Sequence, residues 1–234
     1  MAVRPVYATP EEAIADIPDG AVIAMGGFSA NLGCPDHLIR AMAESSTAKD
    51  LTFIGNGIPM AATGNPDSPF FVVDPSRVKK VICSFPLSGR GPGIQYDAAF
   101  VDGTTELELV PQGTLAERLR AGGAGIPAFY TPTGAGTNTP FDKGKEVREF
   151  DGRRYVMERA LKPDYALVKA FRADRMGNLF YRNTARAFNP PMAMAARITI
   201  AEVEELVEPG EIIPEMIVTP GIYVHRIVVT GARK

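Results

Sequence analysis

Glycines, rather than acids or histidines, have the spacing that points to chemistry in this 234-residue chain. Gly26 and Gly27 follow directly on the apolar run 21–25, and Phe28, Ser29, Ala30, Asn31 and Leu32 lead on to Gly33 and Pro35. Paired glycines where a strand ends let a ligand or another backbone come within contact distance, and unpaired amides at the next helix start favour anionic groups. The same pattern also serves a strand-to-helix connection made only for close packing, so the loop leaves two readings open. A second glycine-rich loop, 88–93, carries Arg90, whose guanidinium could pair with the distal carboxylate of a dicarboxylic or oxo acid or simply be solvated. A third stretch, 124–136, places glycine and proline on both sides of a short strand around residues 128–130, which exposes backbone for close approach or forms an ordinary loop wall.

Catalytic side chains are scarce. His37 and His225 are the only histidines, so a His-dependent triad or a histidine-rich metal site lacks parts, and both are read as structural. No lysine of the phosphate-binding type follows a glycine loop, and residues 89–93 miss the spacing of a dinucleotide fingerprint. Acidic pairs such as Glu11-Glu12 and Glu204-Glu205 fall in segments expected to be solvated. Ligand-shaped backbone without an evident nucleophile remains.

The elements that must carry these loops follow from periodicity and caps. Thr9-Pro10-Glu11-Glu12 predicts a capped helix from Pro10 to about Ile17. A buried strand at 21–25, a helix at 36–44 opened by Pro35 and a strand at 51–55 make the strand–helix–strand unit of a parallel sheet. Residues 56–67, punctuated by Gly57, Pro59, Gly64 and Pro66, predict a long loop. Strands are expected at 78–84 and 106–110, then a helix at 115–120 closed by Gly122-Gly123 as a left-handed cap. A hairpin turning at Asp151-Gly152 should span 146–155, with a core strand at 165–173, a helix at 192–196, strands at 198–202 and 227–229, and an irregular acidic segment at 207–214. The expected architecture is α/β, a mostly parallel sheet flanked by helices with added β-hairpins, formed as one unit over residues 1–234.

Composition narrows the class. Hydrophobic residues make up 45% of the chain, enough for a sizeable core, and 25 basic against 27 acidic residues give a net charge of −2. No basic arm interrupts that balance, so nucleic acid is not an expected partner. Cys34 and Cys83 lie far apart outside any Cys-x-x-Cys pair, which argues for a reducing compartment and against a zinc site. No apolar run of about 18 residues and no signal-peptide pattern is present, and from these we expect a cytoplasmic protein without membrane contact.

Several motifs together resemble the family I CoA-transferases, in particular the A subunit of the 3-oxoacid and 3-oxoadipate enzymes. They are Asp19-Gly20 with the strand, Gly26-Gly27-Phe28 and Gly33-Cys34-Pro35; the block 111–118 followed by 120–134; residues 174–178; Thr184-Ala185-Arg186 with Phe188-Asn189-Pro190; and residues 219–224. The resemblance implies a fold shared in outline with sugar-phosphate isomerases and a ping-pong transfer of coenzyme A from an acyl-CoA such as succinyl-CoA to a carboxylic acid. A glutamate attacks the acyl-CoA, an anhydride forms, the CoA thiolate then makes a glutamyl thioester, and the steps reverse onto the second acid. That glutamate belongs to the family's B subunit, in a Glu-Asn-Gly context that this chain lacks. The chain is thus expected to be one half of an enzyme, forming an α2β2 heterotetramer with the B subunit. No permanently bound cofactor or metal is expected, and coenzyme A is a substrate.

By the same resemblance, Gly26, Gly27, Phe28, Ser29, Ala30, Asn31, Leu32 and Gly33 hold CoA, and Gly123 and Ala124 face the acid; Arg90 and Gln95 join the acid side because they lie in the loop 88–96, where this chain departs from the family pattern. Two departures stand out. The loop between Phe28 and Gly33 is one residue longer than the family pattern, and the family's substrate-side glutamine falls at Ala99, with Gln95 the nearest glutamine. An isomerase-like enzyme or an orphan acyl-CoA or effector-binding module of the same fold is the alternative, against which the block 122–134 argues.

Overall fold

The computed structural model describes residues 3–28, 32–62, 70–86 and 94–231. In chain order these form β1 (Val6–Tyr7), α1 (Pro10–Ile14), β2 (Val22–Met25), α2 (Asp36–Glu44), β3 (Leu51–Gly55), β4 (Met60–Ala62), β5 (Phe70–Val72), β6 (Val78–Cys83), α3 (Ile94–Asp102) and β7 (Glu106–Leu109). There follow α4 (Gln112–Gly123), β8 (Ala128–Thr131), β9 (Val147–Phe150), β10 (Arg153–Arg159), β11 (Tyr165–Asp174), β12 (Leu179–Phe180), α5 (Asn189–Ala195), β13 (Ile198–Val207) and β14 (Arg226–Val229).

Eight strands pair in parallel in the order β1-β14-β13-β11-β2-β3-β6-β7, and β12 joins β11 antiparallel. Side chains along these strands alternate between two cores. Ile23, Phe53, Val81, Leu167 and Ile200 pack on one face with Leu38 and Met42 of α2 and Tyr96 of α3. Ala24, Ile54, Ile82, Ala166, Val168 and Ala201 pack on the other with Leu115 and Leu119 of α4 and Met192 of α5. A sheet covered on both faces explains why its strands read as continuous apolar runs rather than alternating ones.

The helix start at Thr9 is as the sequence predicts: its side chain accepts from the Glu12 amide, and Glu12 reaches back to the Ala8 amide. The hairpin turn is also as expected. Asp151 and Gly152 both take positive φ, 50° and 72°, which brings β9 and β10 into antiparallel register.

Four expectations change. The segment 56–67 is not wholly irregular, because β4 pairs antiparallel with β5. Helix α3 follows the second glycine loop, where no element was expected. Strand β13 runs on to Val207, beyond the expected end at residue 202, because its second half pairs residue for residue with β11 as far as Asp174. Gly122 and Gly123 lie inside α4 rather than capping it, and Gly125 takes the left-handed φ of 76° instead. A Cβ at Gly122 would stand 1.9 Å from the Leu161 carbonyl oxygen, and one at Gly123 would stand 2.8 Å from that of Met194. Close approach between segments outweighs the roughly 1 kcal/mol helix penalty of each glycine.

Candidate functional site

The chain travels from β2 outward through β3, β6 and β7, then returns to place β11 on the other side of β2. Strand order therefore reverses between β2 and β11, and in such sheets ligands sit beyond the carboxyl ends of the strands at that reversal. A cavity of about 160 Å³ lies there, walled by Gly33, Cys34, Asp36, Lys169, Phe171 and Arg182 among others. The glycine loop ends at its rim.

Each described glycine of that loop is committed to an internal contact. A Cβ at Gly26 would fall 1.8 Å from Asn189 Oδ1, one at Gly27 would fall 2.5 Å from Cys34 Sγ, and one at Gly33 would fall 2.2 Å from the Ala185 carbonyl oxygen. Gly27 and Gly33 also take φ of 93° and 68°. Asn189, at the start of α5 and wholly buried, ties the pieces together: its Oδ1 accepts from the Lys169 amide, and its Nδ2 donates to the carbonyls of Gly33 and Ala185. Phe28 donates its amide to the Leu32 carbonyl, closing the loop on itself. Close packing thus accounts for the glycines, and the amides at the helix start are what remains for a ligand.

Those amides are partly used by a residue that sequence reasoning missed. Glu202 of β13 is 0% exposed, and its Oε2 accepts from the His37 and Leu38 amides at 2.9 and 3.1 Å, capping α2 from the side. Its Oε1 stands 3.1 Å from His37 Nδ1 and 3.2 Å from Lys169 Nζ, and Lys169 is also 3.7 Å from Asp36. The one available signal was an acid inside the otherwise apolar half of a strand.

The Glu202 carboxylate holds the His37 imidazolium above its ordinary value, a gain that Asp36 assists and that burial and Lys169 oppose. A raised folded-state value means that the contribution is fully present below about pH 6.5. It fades as pH rises through the folded value. Wild type should therefore exceed His37→Gln in urea stability at pH 5.5, and the gap should narrow steadily toward pH 8.5. A gap that widened with pH would contradict the pairing.

Neither histidine is placed as a free base. His225 Nδ1 accepts from the Thr199 amide, and burial lowers the pKa of its ring. Burial pushes the Cys83 thiol up to about 12, so it stays protonated at neutral pH. Among the described residues no group of three or more His, Cys, Asp or Glu could hold a metal ion.

A second polar group lies at the same end of the sheet, beginning at β3, the strand next to β2. Asn56, just past β3, accepts through Oδ1 from Gln112 Nε2 at 2.5 Å, and its carbonyl accepts from the Ser84 and Phe85 amides. Gln95 projects from the first turn of α3 into solvent, and Ala99 one turn on is buried. Gly123 and Ala124, expected beside the acid, are not brought to this edge. Helix α4 begins here and carries them about 17 Å away, toward the amino ends of the strands. There Gly123 serves the contact with α5. Ser29, Ala30, Asn31 and Arg90 lie outside the described residues.

Among known proteins, the family model described as coenzyme A transferase matches residues 7–230. The A subunit of succinyl-CoA:3-ketoacid coenzyme A transferase from Xanthomonas campestris pv. campestris is 48% identical over 226 residues, covering 96% of this chain and 88% of that protein. The A subunit of 3-oxoadipate CoA-transferase from Pseudomonas putida is 46% identical over 231 residues, covering 98% and 96%. In structure, an acyl-CoA transferase from E. coli O157:H7, solved as a thioester complex with CoA, superposes with a TM-score of 0.78 at 22% identity. That superposition covers 99% of this chain and 48% of the other, so the chain spans about half of that enzyme. Glutaconate coenzyme A-transferase from Acidaminococcus fermentans superposes with a TM-score of 0.74 at 22% identity, covering 97% and 75%. These two superpositions bear on the fold, which is that of the CoA-transferases.

Proposed function

This chain belongs to the coenzyme A transferase family, and on that premise we propose how it works as the A subunit of a two-subunit enzyme. The reaction moves coenzyme A between an acyl-CoA, such as succinyl-CoA, and a 3-oxo acid. The observation that carries this reading is the match over nearly the whole chain to proteins named as A subunits of such enzymes. The attacking glutamate resides on the B subunit, and the assembly is an α2β2 heterotetramer in the cytoplasm. Coenzyme A is substrate and not a resident cofactor.

The glycine loop supplies backbone that can hold oxygen atoms without adding a titrating group of its own. Gly26, Gly27, Phe28, Leu32 and Gly33 serve the CoA side at the strand reversal, and the acid approaches the end of the sheet where Asn56, Gln95 and Gln112 stand; Ser29, Ala30 and Asn31 are assigned to CoA and Arg90 to the acid from the sequence alone. Two features support this division. The strand reversal is the preferred ligand position in such a sheet, and the second group offers uncharged hydrogen-bond donors suited to oxygen atoms of an acid or thioester. Enclosure against the partner would keep water from the thioester. The test is a transfer assay with succinyl-CoA and a 3-oxo acid, run on this chain, on its partner and on the mixture. Turnover should require both, and equal turnover by this chain alone would refute the division of labour.

A further inference from the structure

The motif around Thr184-Ala185-Arg186 does more than back the glycine loop. Asn183–Arg186 form a short 3₁₀ turn, and Ala187 at its end takes φ 35° and ψ −129°, a combination that non-glycine residues rarely adopt. Asn189 Nδ2 holds the turn in that shape by donating to the Ala185 carbonyl. Strained backbone persists only where its surroundings over-determine it, and it gathers at ligand clamps. The residue this turn positions is Arg182, immediately before it, on the wall of the cavity of about 160 Å³ at the strand reversal.

Arg182 is preorganised there. Its guanidinium carbon lies 3.7 Å from the centroid of the Phe171 ring, which Phe180 in turn braces edge-on at 6.0 Å. A stacked guanidinium keeps its N–H groups, which lie in its own plane, for lateral hydrogen bonds. Among the described residues its one ion-pair partner is Glu204, at 3.4 Å, so most of its five N–H groups remain for a ligand. Lys169 lies deeper in the same wall, its side chain 12% exposed against 54% for Arg182. Glu202 at 3.2 Å and Asp36 at 3.7 Å occupy at most two of its three N–H groups. The cavity therefore offers spare donors at its mouth and at its depth, while its two carboxylates, Asp36 and Glu204, are engaged by the two cations.

That balance decides what fits. A phosphate or a further carboxylate would face Asp36 and Glu204 at close range, and two cations offset by two anions give it little net attraction. A neutral chain bearing carbonyl oxygens accepts from both donors without that repulsion. The pantetheine arm of a CoA thioester is such a chain, narrow and uncharged, with an amide carbonyl at two points along it. We propose that Arg182 recognises this arm, donating to an amide carbonyl at the cavity mouth, while Lys169 donates to the arm further in. The assignment rests on the transferase reading above and adds which part of CoA the cavity takes.

Arg182→Met keeps an apolar stem on Phe171 and removes the donors. In the complex reconstituted with the B subunit, kcat/KM should be measured for succinyl-CoA, for succinyl-pantetheine and for the succinyl thioester of N-acetylcysteamine, which retains only the amide nearest sulfur. The first two should fall about tenfold, as loss of one hydrogen bond from a charged donor implies, and the third less than twofold. Arg182→Lys, which keeps a donor without the planar stack, should recover part of the loss. A fall confined to succinyl-CoA would assign Arg182 to the phosphates or the adenosine and overturn the arm assignment. An equal fall for all three thioesters would mark a structural role, and no change at all a solvated arginine; either overturns the proposal and leaves the transferase reading intact. A wild-type complex without transfer activity overturns both. Should Arg182→Met fail to assemble, Arg182→Gln is read by the same three values and the same criteria.

Discussion

Glu202→Ala should lose about 3–5 kcal/mol of unfolding free energy, the range for removing one partner of a buried ion pair. The carboxylate is fully buried, accepts two amides at the start of α2, and faces both His37 and Lys169. Its removal leaves Lys169, only 12% exposed, with Asp36 at 3.7 Å as the remaining carboxylate, and strips α2 of its cap. Glu202→Gln should lose less, because an amide oxygen can still accept from the His37 and Leu38 amides. Urea denaturation at pH 7 reads both variants, and a loss below about 1 kcal/mol in Glu202→Ala would show that water replaces the carboxylate without penalty.

Gly26→Ala should lose about 2–3 kcal/mol, at the upper end of what overpacking costs. The new methyl would lie 1.8 Å from Asn189 Oδ1, and Asn189 cannot turn aside without giving up its bonds to Lys169, Gly33 and Ala185. Those bonds join β11, α5, the turn at Ala185 and the end of the glycine loop, so transfer activity of the complex should fall with stability. Combining Gly26→Ala with Asn189→Ala relieves the collision. The double variant should be less destabilised than the sum of the two single ones, by about 1 kcal/mol or more on the usual scale of coupling between touching residues. Strict additivity would mean that the two side-chain positions do not meet.

Much of this architecture is visible in the sequence because local rules and tertiary packing agree there. Thr9-Pro10 with Glu12 caps α1, Asp151-Gly152 turns a hairpin, and the runs at β2, β3, β6 and β11 are apolar because the sheet is covered on both faces. Where the two disagree, the sequence misleads. Gly122-Gly123 has the composition of a cap, but Leu161 and Met194 press so close that only glycine fits inside the helix. The far half of β13 carries Glu204 and Glu205, which suggest a loop, yet pairing with Arg172 to Asp174 keeps it extended. Helix α3 turns only Tyr96 and Ala99 fully inward, too few positions to mark a helical stripe.

The candidate site divides in the same way. The glycine loop is legible because paired glycines after an apolar run are rare without a close approach. Which approach they serve is not, because Asn189 lies more than 150 residues away in sequence. Glu202 stands out only as an acid in the apolar half of its strand, and its position under α2 is what shows that it is a cap. Arg182 reads as one more arginine, and that it stacks on Phe171 at the cavity wall is a property of packing alone.

The location of the covalent intermediate tests the central claim most directly. After the reconstituted complex is incubated with an acyl-CoA and no acceptor acid, mass spectrometry of the separated polypeptides should show the mass of coenzyme A less one water added to the partner, as the free acid is released, with this chain unmodified. Adding the acceptor acid should remove that mass as acyl-CoA product forms. An adduct on this chain, or turnover by this chain without its partner, would contradict the assignment of the nucleophile to the other half of the enzyme.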